Sequence, residues 1–237
     1  MNEAAILAAR YNRKAINQDD LYNSVEKVLL GPERKGRVVS ETEKKITAYH
    51  EAGHALVAAS LKDADPVHKV SVVARGRAGG YTLKLPIEEV RLRRRTQFMA
   101  DLAVAMGGYA SEKEIFSDLS TGASNDLKEA SEIARRLVTK YGMSEKLGPI
   151  TFGKSEELIF LGREISAEKN YSEKVASDID KEVHGFLNRA YQTAKRVLTV
   201  HRDALHAIAK TLMEKETLEQ EEFYGILKPF KIKPMAV

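Results

Sequence analysis

His50-Glu51-Ala52-Gly53-His54 sits inside a run of small and apolar residues, with Ile46-Thr47-Ala48-Tyr49 before it and Ala55-Leu56-Val57-Ala58-Ala59 after it. The H-E-x-x-H spacing has a physical meaning only if the run is helical, because side chains four apart then share one face. The flanks predict a helix. Ser40-Glu41-Thr42-Glu43 reads as a capping box, and alanine, leucine and lysine dominate from Lys44 to Lys62. Asp63-Ala64-Asp65-Pro66 supplies a stop. Gly53 inside the helix costs about 1 kcal/mol relative to alanine, which suggests that another backbone or a metal site comes close there. On such a helix, His50 and His54 could each give one nitrogen to a Zn²⁺ ion at about 2.0–2.1 Å. Glu51, beside the first of them, could take a proton from a metal-activated water without binding the metal.

Other features narrow the setting. The chain has 237 residues, 43% of them hydrophobic and 30% charged, with a net charge of +4. That mix suits one large globular unit or two small ones, long enough to bury a core. With no cysteine, disulfides and thiolate metal sites are excluded, so metal ligands must be His, Asp or Glu. No apolar run approaches the roughly 18 residues needed to cross a bilayer, and Met1-Asn2-Glu3 begins no signal-peptide pattern. Arg91-Leu92-Arg93-Arg94-Arg95 is the one basic cluster. It has no interleaved aromatics and reads as a solvated helix face, so no nucleic-acid partner is expected.

Along the chain, residues 3–12 and 21–30 are helix-forming, with Leu21, Val25, Val28 and Leu29 in register and Asn17-Gln18-Asp19-Asp20 as a cap. Gly31-Pro32-Glu33-Arg34-Lys35-Gly36 marks a boundary. Two short helices cannot make a core alone, so residues 1–31 read as an appendage or the end of something larger. After the His50 helix, residues 67–74 and 81–85 alternate as strands, joined through the flexible Arg75-Gly76-Arg77-Ala78-Gly79-Gly80. The second strand is either an edge that can pair with an extended peptide or a brace for the helix. A helix is expected over 87–107 with Phe98, Leu102 and Ala105 inside, then an interruption at Gly107-Gly108 and a further helix over 109–116. Leu127, Ala130, Ala134, Leu137, Val138 and Tyr141 predict a helix over 125–141, closed by Gly142. A loop-rich stretch, 142–170, leads to the longest helix, 172–200, then to helices over 203–213 and 218–227 and a loose tail over 229–237.

Two histidines do not complete a catalytic zinc site, which keeps three protein ligands and one open position. His68, His184, His201 and His206 lie in no ligand context. Asp126 opens a helix after a turn of small residues, and it either completes the site or caps that helix. Glu112 and Asp118 are the weaker candidates.

Four segments together resemble the FtsH-type membrane-bound AAA+ zinc metalloproteases: Ala48-Tyr49-His50-Glu51-Ala52-Gly53-His54-Ala55-Leu56-Val57, Gly80-Tyr81-Thr82-Leu83, Ser120-Thr121-Gly122-Ala123-Ser124-Asn125-Asp126-Leu127, and residues 138–149. The likeness runs from Asn2 to about Leu227. It implies a mainly α metalloprotease domain with a small β-sheet, an edge strand lying near the active site. It implies one Zn²⁺ per chain on His50, His54 and Asp126, with Glu51 catalytic and Glu112 supporting the ligands from behind. It implies substrate held at Gly80, Tyr81 and Thr82. By the same likeness, residues 1–31 match the end of an AAA+ lid subdomain and 36–237 the peptidase domain. The partners implied are unfolded polypeptides, five further copies in a homo-hexamer, and an AAA+ ATPase module with transmembrane segments. No G-x-x-x-x-G-K-[ST] stands here, so ATP would act only through that module. The likeness places the full-length protein in a membrane with this domain on the cytoplasmic face, the fragment itself being soluble. Tyr109 stands where the family often has arginine. A non-catalytic helical scaffold that binds metal or mediates oligomer contacts is the alternative, and Glu51 is the residue such a scaffold would not need.

Overall fold

The computed structural model describes residues 1–32, 39–75, 79–85, 92–153 and 171–237. Among them the order is α1 (Asn2–Arg10), α2 (Gln18–Leu30), α3 (Glu41–Ala59), β1 (Val67–Ser71), β2 (Tyr81–Lys84), α4 (Arg95–Phe116), a 3₁₀ turn (Thr121–Ala123), α5 (Ser124–Thr139), α6 (Glu173–Val200), α7 (Arg202–Lys215), β3 (Thr217–Glu219) and α8 (Gln220–Leu227). The fold is mainly α, with a small antiparallel sheet.

Helix α3 carries the H-E-x-x-H motif and is the buried centre. Ser40 caps it, its Oγ accepting the Glu43 N–H at 3.1 Å. It ends at Ala59, earlier than the Asp63–Pro66 stop would suggest. Residues 50–58 are buried without a break, because α3 packs on both α4 and α7 and leaves no face to solvent. Helix α6 lies across α4, and its apolar stripe behaves as its period predicts: Ile179, Val183, Phe186, Ala190, Ala194 and Val197 are buried. Helix α5 buries Ala130, Ala134, Leu137 and Val138 but ends at Thr139, so that Tyr141, expected on its inner stripe, lies beyond it and is exposed. Gly142 follows with φ at +59°, a conformation that glycine adopts at no steric cost.

Several expectations are corrected. Helix α4 runs without a break through Gly107 and Gly108. The two glycines admit neighbours instead of ending the helix: a Cβ on Gly107 would stand 2.8 Å from the Gly53 carbonyl oxygen of α3. The expected helix start near residue 87 falls at residues 86–91, outside the described residues, as do the linker residues 33–38, Gly76-Arg77-Ala78 and most of 142–170. Arg93 and Arg94 precede α4 rather than forming a helix face. Arg94 pairs with Asp63 at 2.9 Å, Arg93 pairs with Asp101, and Arg95 pairs with Glu145 at 2.5 Å.

Thr217–Glu219, expected to lead into a helix from 218, forms β3 and pairs with β1, with Val70 opposite Leu218. Leu218 is fully buried, so sheet pairing wins there over local helix preference. Among the described residues the strand order is β2-β1-β3, which leaves β2 at an edge. The C-terminal tail is tied down, not loose: Lys62 donates to the Met235 carbonyl and Met235 to that of Ser60, both at 2.9 Å. In α2 the reciprocal cap between Asn17 and Asp20 is present. Val25 and Val28 are exposed, however, and α2 turns Glu26 toward the sheet.

Candidate metal centre

His50 and His54 lie one turn apart on α3, with their Nε2 atoms 3.0 Å from each other. Their other ring nitrogens face α4. Nδ1 of His54 donates to the Val104 carbonyl at 2.7 Å, and Nδ1 of His50 donates to Glu112 Oε1 at 2.7 Å. A carbonyl and a carboxylate can only accept, so both Nδ1 atoms carry the proton. When each ring holds only that proton, both Nε2 lone pairs point into the same small space, and a cation is what that space fits.

Asp126 closes the third side. Its Oδ2 is 3.2 Å from His50 Nε2 and 3.6 Å from His54 Nε2. Ligands at about 2.0–2.1 Å from a tetrahedral zinc stand roughly 3.3–3.4 Å from one another, and the three observed separations bracket that value. The donor set, two imidazoles and one carboxylate, is the type found at catalytic zinc. Asp126 reaches it because the 3₁₀ turn at Thr121–Ala123 brings the N-terminus of α5 over α3. Burial pushes its carboxyl up, but the hydrogen bond with His50 and the nearby His54 ring outweigh that and hold it below the usual carboxylate range.

Space for the rings comes from Gly108. A Cβ there would lie 2.4 Å from His50 Nε2 and 2.6 Å from His54 Nε2. Glu112 stands behind His50, 2% exposed, and also accepts the Ser120 N–H at 2.6 Å and the Ser120 hydroxyl at 3.1 Å. Burial raises its pKa, yet His50 and Ser120 together lower it. It therefore stays an anion that orients His50.

Glu51 is buried beside the two histidines, on the flank that meets the sheet. The Thr82 hydroxyl of β2 donates to its Oε2 at 2.8 Å. Burial pushes the Glu51 pKa up, while His50, His54 and Thr82 pull less strongly the other way. Gly80 permits this approach, since a Cβ on it would lie 3.0 Å from Glu51 Cγ and 2.8 Å from the Ser71 carbonyl oxygen. Of the three residues expected at substrate, Tyr81 turns its ring inward and its hydroxyl to Glu26, so only its backbone is available at the edge.

The remaining histidines lie elsewhere. His206 Nδ1 is 2.8 Å from the Tyr49 hydroxyl, and His68 packs on the Tyr22 ring. His184 and His201 are not in the group, and Asp118 accepts only the Leu119 N–H among the described contacts. Tyr109, at the position noted for arginine, packs on the Tyr191 ring. The Thr82–Glu51 bond, the Val104 carbonyl, Ser120 and the role of Gly108 were not anticipated from sequence. Glycine at Gly107-Gly108 was the one available signal, and it could equally mean a break or a close approach.

The chain resembles known proteins along its whole length. The model of "Peptidase family M41" matches residues 37–226. The chain is similar to the ATP-dependent zinc metalloprotease FtsH 1 of Thermomicrobium roseum, 54% identical over 237 residues, all of this chain and 36% of that protein. It is also similar to the protein of the same name from Sphaerobacter thermophilus, at 52% identity with the same coverage. To the ATP-dependent zinc metalloprotease FtsH of Caldicellulosiruptor bescii it is 49% identical over 223 residues, 94% of this chain and 36% of that protein. The chain thus spans a little over a third of the length of the curated relatives it matches.

Proposed function

The chain belongs to peptidase family M41, and on that premise we propose that it is the peptide-hydrolysing part of a longer zinc-dependent protease. The observation that carries the reading is the convergence of two Nε2 lone pairs and one carboxylate beside a buried glutamate that is not among them. In this reading His50, His54 and Asp126 hold Zn²⁺, which when bound supplies Lewis acidity to the scissile carbonyl and acidifies a water.

The chain's own residues do the rest. Glu51 accepts the proton of the attacking water and hands it to the leaving amine. Its burial raises its proton affinity toward the range such a shuttle needs. Thr82 holds the Glu51 carboxylate toward the sheet side of the site. The outer edge of β2, whose one strand neighbour among the described residues is β1, would take an extended peptide by main-chain hydrogen bonds. Glu112 keeps His50 in the tautomer that presents Nε2.

The same premise extends to the whole protein. Residues 1–31 form the end of an AAA+ lid and residues 36–237 the peptidase domain. Unfolded or membrane-extracted polypeptides are fed by an ATPase module, in a homo-hexamer anchored in a membrane with this domain on its cytoplasmic side. Among the described residues no helix is long and apolar enough to cross a membrane.

The test is Glu51→Gln. Zinc content near one per chain with casein hydrolysis lost is the expected result. Undiminished hydrolysis, or a variant that binds no zinc, would overturn the assignment. A metal-binding scaffold without activity would show zinc in the wild-type chain and no chelator-sensitive hydrolysis.

A further inference from the structure

Glu26 lies on α2 and is 2% exposed. A carboxylate so buried needs partners, and among the described residues they come from β1, β2 and the segment between them. Oε1 takes the Lys69 ammonium of β1 at 2.8 Å. Oε2 pairs with Arg75 at 3.0 Å and accepts the Tyr81 hydroxyl of β2 at 3.2 Å. Lys69 reaches on to Glu219 of β3 at 2.9 Å, and the Arg75 guanidinium lies 5.6 Å from the centre of the Tyr81 ring. One side chain of the N-terminal hairpin thus gathers groups from β1, from the segment after it and from β2.

Tyr81 and Thr82 are neighbours in β2, so their side chains leave opposite faces of the strand. The Tyr81 side chain goes to Glu26, and that of Thr82 goes to Glu51 at 2.8 Å. A rigid peptide plane joins the two. Where Glu26 holds Tyr81 therefore governs where Thr82 stands. β2 is a four-residue edge strand, the kind of element that opens locally when an anchor is lost.

We propose that Glu26 is a positioning residue for hydrolysis. Through Tyr81 it fixes the β2 edge, and through the adjacent Thr82 it fixes Glu51, so that the α1–α2 hairpin and the metal centre are mechanically coupled. The proposal rests on the reading of Glu51 as the base and of β2 as the peptide-binding edge. Removing the Glu26 charge takes the shared carboxylate from between Lys69 and Arg75 and weakens the bond that tethers Tyr81 of β2.

The experiment uses the full chain loaded with zinc and compares Glu26→Gln, Glu26→Asp and Tyr81→Phe. Asp20→Asn is the control. Asp20 is buried in the same hairpin, caps α2 with Asn17 and pairs with Arg13, and among the described residues none of its bonds goes to the sheet. Zinc content, kcat and KM on an extended peptide, and hydrogen exchange of residues 79–85 are measured below the melting range. Glu26→Gln should keep its zinc, lose about tenfold in kcat and exchange the 79–85 amides about tenfold faster, the size expected for losing a hydrogen bond to a charged group. Tyr81→Phe should move both readouts the same way by less, and Glu26→Asp should recover part of kcat. Asp20→Asn should move neither. Wild-type kcat and exchange in Glu26→Gln would overturn the proposal, and so would an Asp20→Asn variant that reproduces its effects. If Glu26→Gln does not fold, wild-type behaviour of Tyr81→Phe and Glu26→Asp overturns it equally. Glu51→Gln assayed alongside separates the two ideas. Hydrolysis by that variant sinks the base assignment, whereas an inactive Glu51→Gln beside an unaffected Glu26→Gln sinks the coupling alone.

Discussion

Gly53 of α3 and Gly107 of α4 meet backbone to backbone. A Cβ on Gly53 would stand 2.5 Å from the Gly107 carbonyl oxygen, and one on Gly107 would stand 2.8 Å from that of Gly53. The contact sets the spacing of two helices that share the metal centre, since His50 and His54 are on α3 while Glu112 and Val104 are on α4. Two glycines that cost helix propensity are thereby explained by what each lets approach.

Gly107→Ala should destabilise the protein despite favouring the helix. Alanine contributes about 1 kcal/mol of propensity. Overpacking costs about 1–3 kcal/mol, and here the obstacle is backbone, which cannot swing aside as a side chain can. A lower denaturant midpoint together with faster zinc loss to a chelator is expected. A variant as stable and as zinc-retentive as wild type would contradict the account.

Thr82→Val keeps the shape of the strand residue and removes the hydroxyl that donates to Glu51. It is a cleaner test of the sheet side than a proline at Thr82, which would disturb backbone and hydroxyl together. Loss of a hydrogen bond to a charged group corresponds to about tenfold or more in kcat, with zinc content unchanged. Equal kcat in the two proteins would show that Glu51 needs no such support.

Asp126→Asn exchanges an anion for a neutral amide at the third corner of the site. Zinc affinity should fall by about tenfold or more. If Asp126 served only the N-terminus of α5, the change would cost about 0.5–2 kcal/mol of stability and leave affinity alone. Competition against a chromogenic chelator, with melting followed in parallel, distinguishes the two.

In the metal-free protein a proton competes for the place between the imidazoles. Burial lowers the pKa of His50, but its hydrogen bonds with Asp126 and Glu112 outweigh burial and raise it to about 10. A raised pKa means that its stabilisation is complete below the ordinary value of 6.5 and is lost as pH climbs toward 10. Asp126 is shifted the opposite way, so its stabilisation is present above 3.8 and fades in stronger acid. Urea midpoints of the metal-free chain should therefore decline from neutral pH to pH 10, while the zinc-loaded chain declines less. Parallel profiles for the two forms would argue against a shared proton and metal position.

The sequence alone determined what depends on neighbours a few residues away. A period of 3.6 placed α5 and α6 and identified their buried stripes, and the Ser40 cap marked where α3 begins. The four-residue step put His50 and His54 on one face of α3. Cysteine absence restricted the possible metal ligands by chemistry alone. The tertiary structure decided what depends on packing between distant segments. Glu112 meets His50 across 62 residues, Asp126 meets it across 76, and Thr82 meets Glu51 across 31. Gly107-Gly108 could be read locally as a helix break, because the backbone of α3 that fills the space is not local. Leu218 prefers a helix until Val70 is opposite it, and Met235 has no partner until the end of α3 is beside it. Local propensity acts over one or two turns of chain, whereas the groups that complete this centre are positioned by which helix faces pack together.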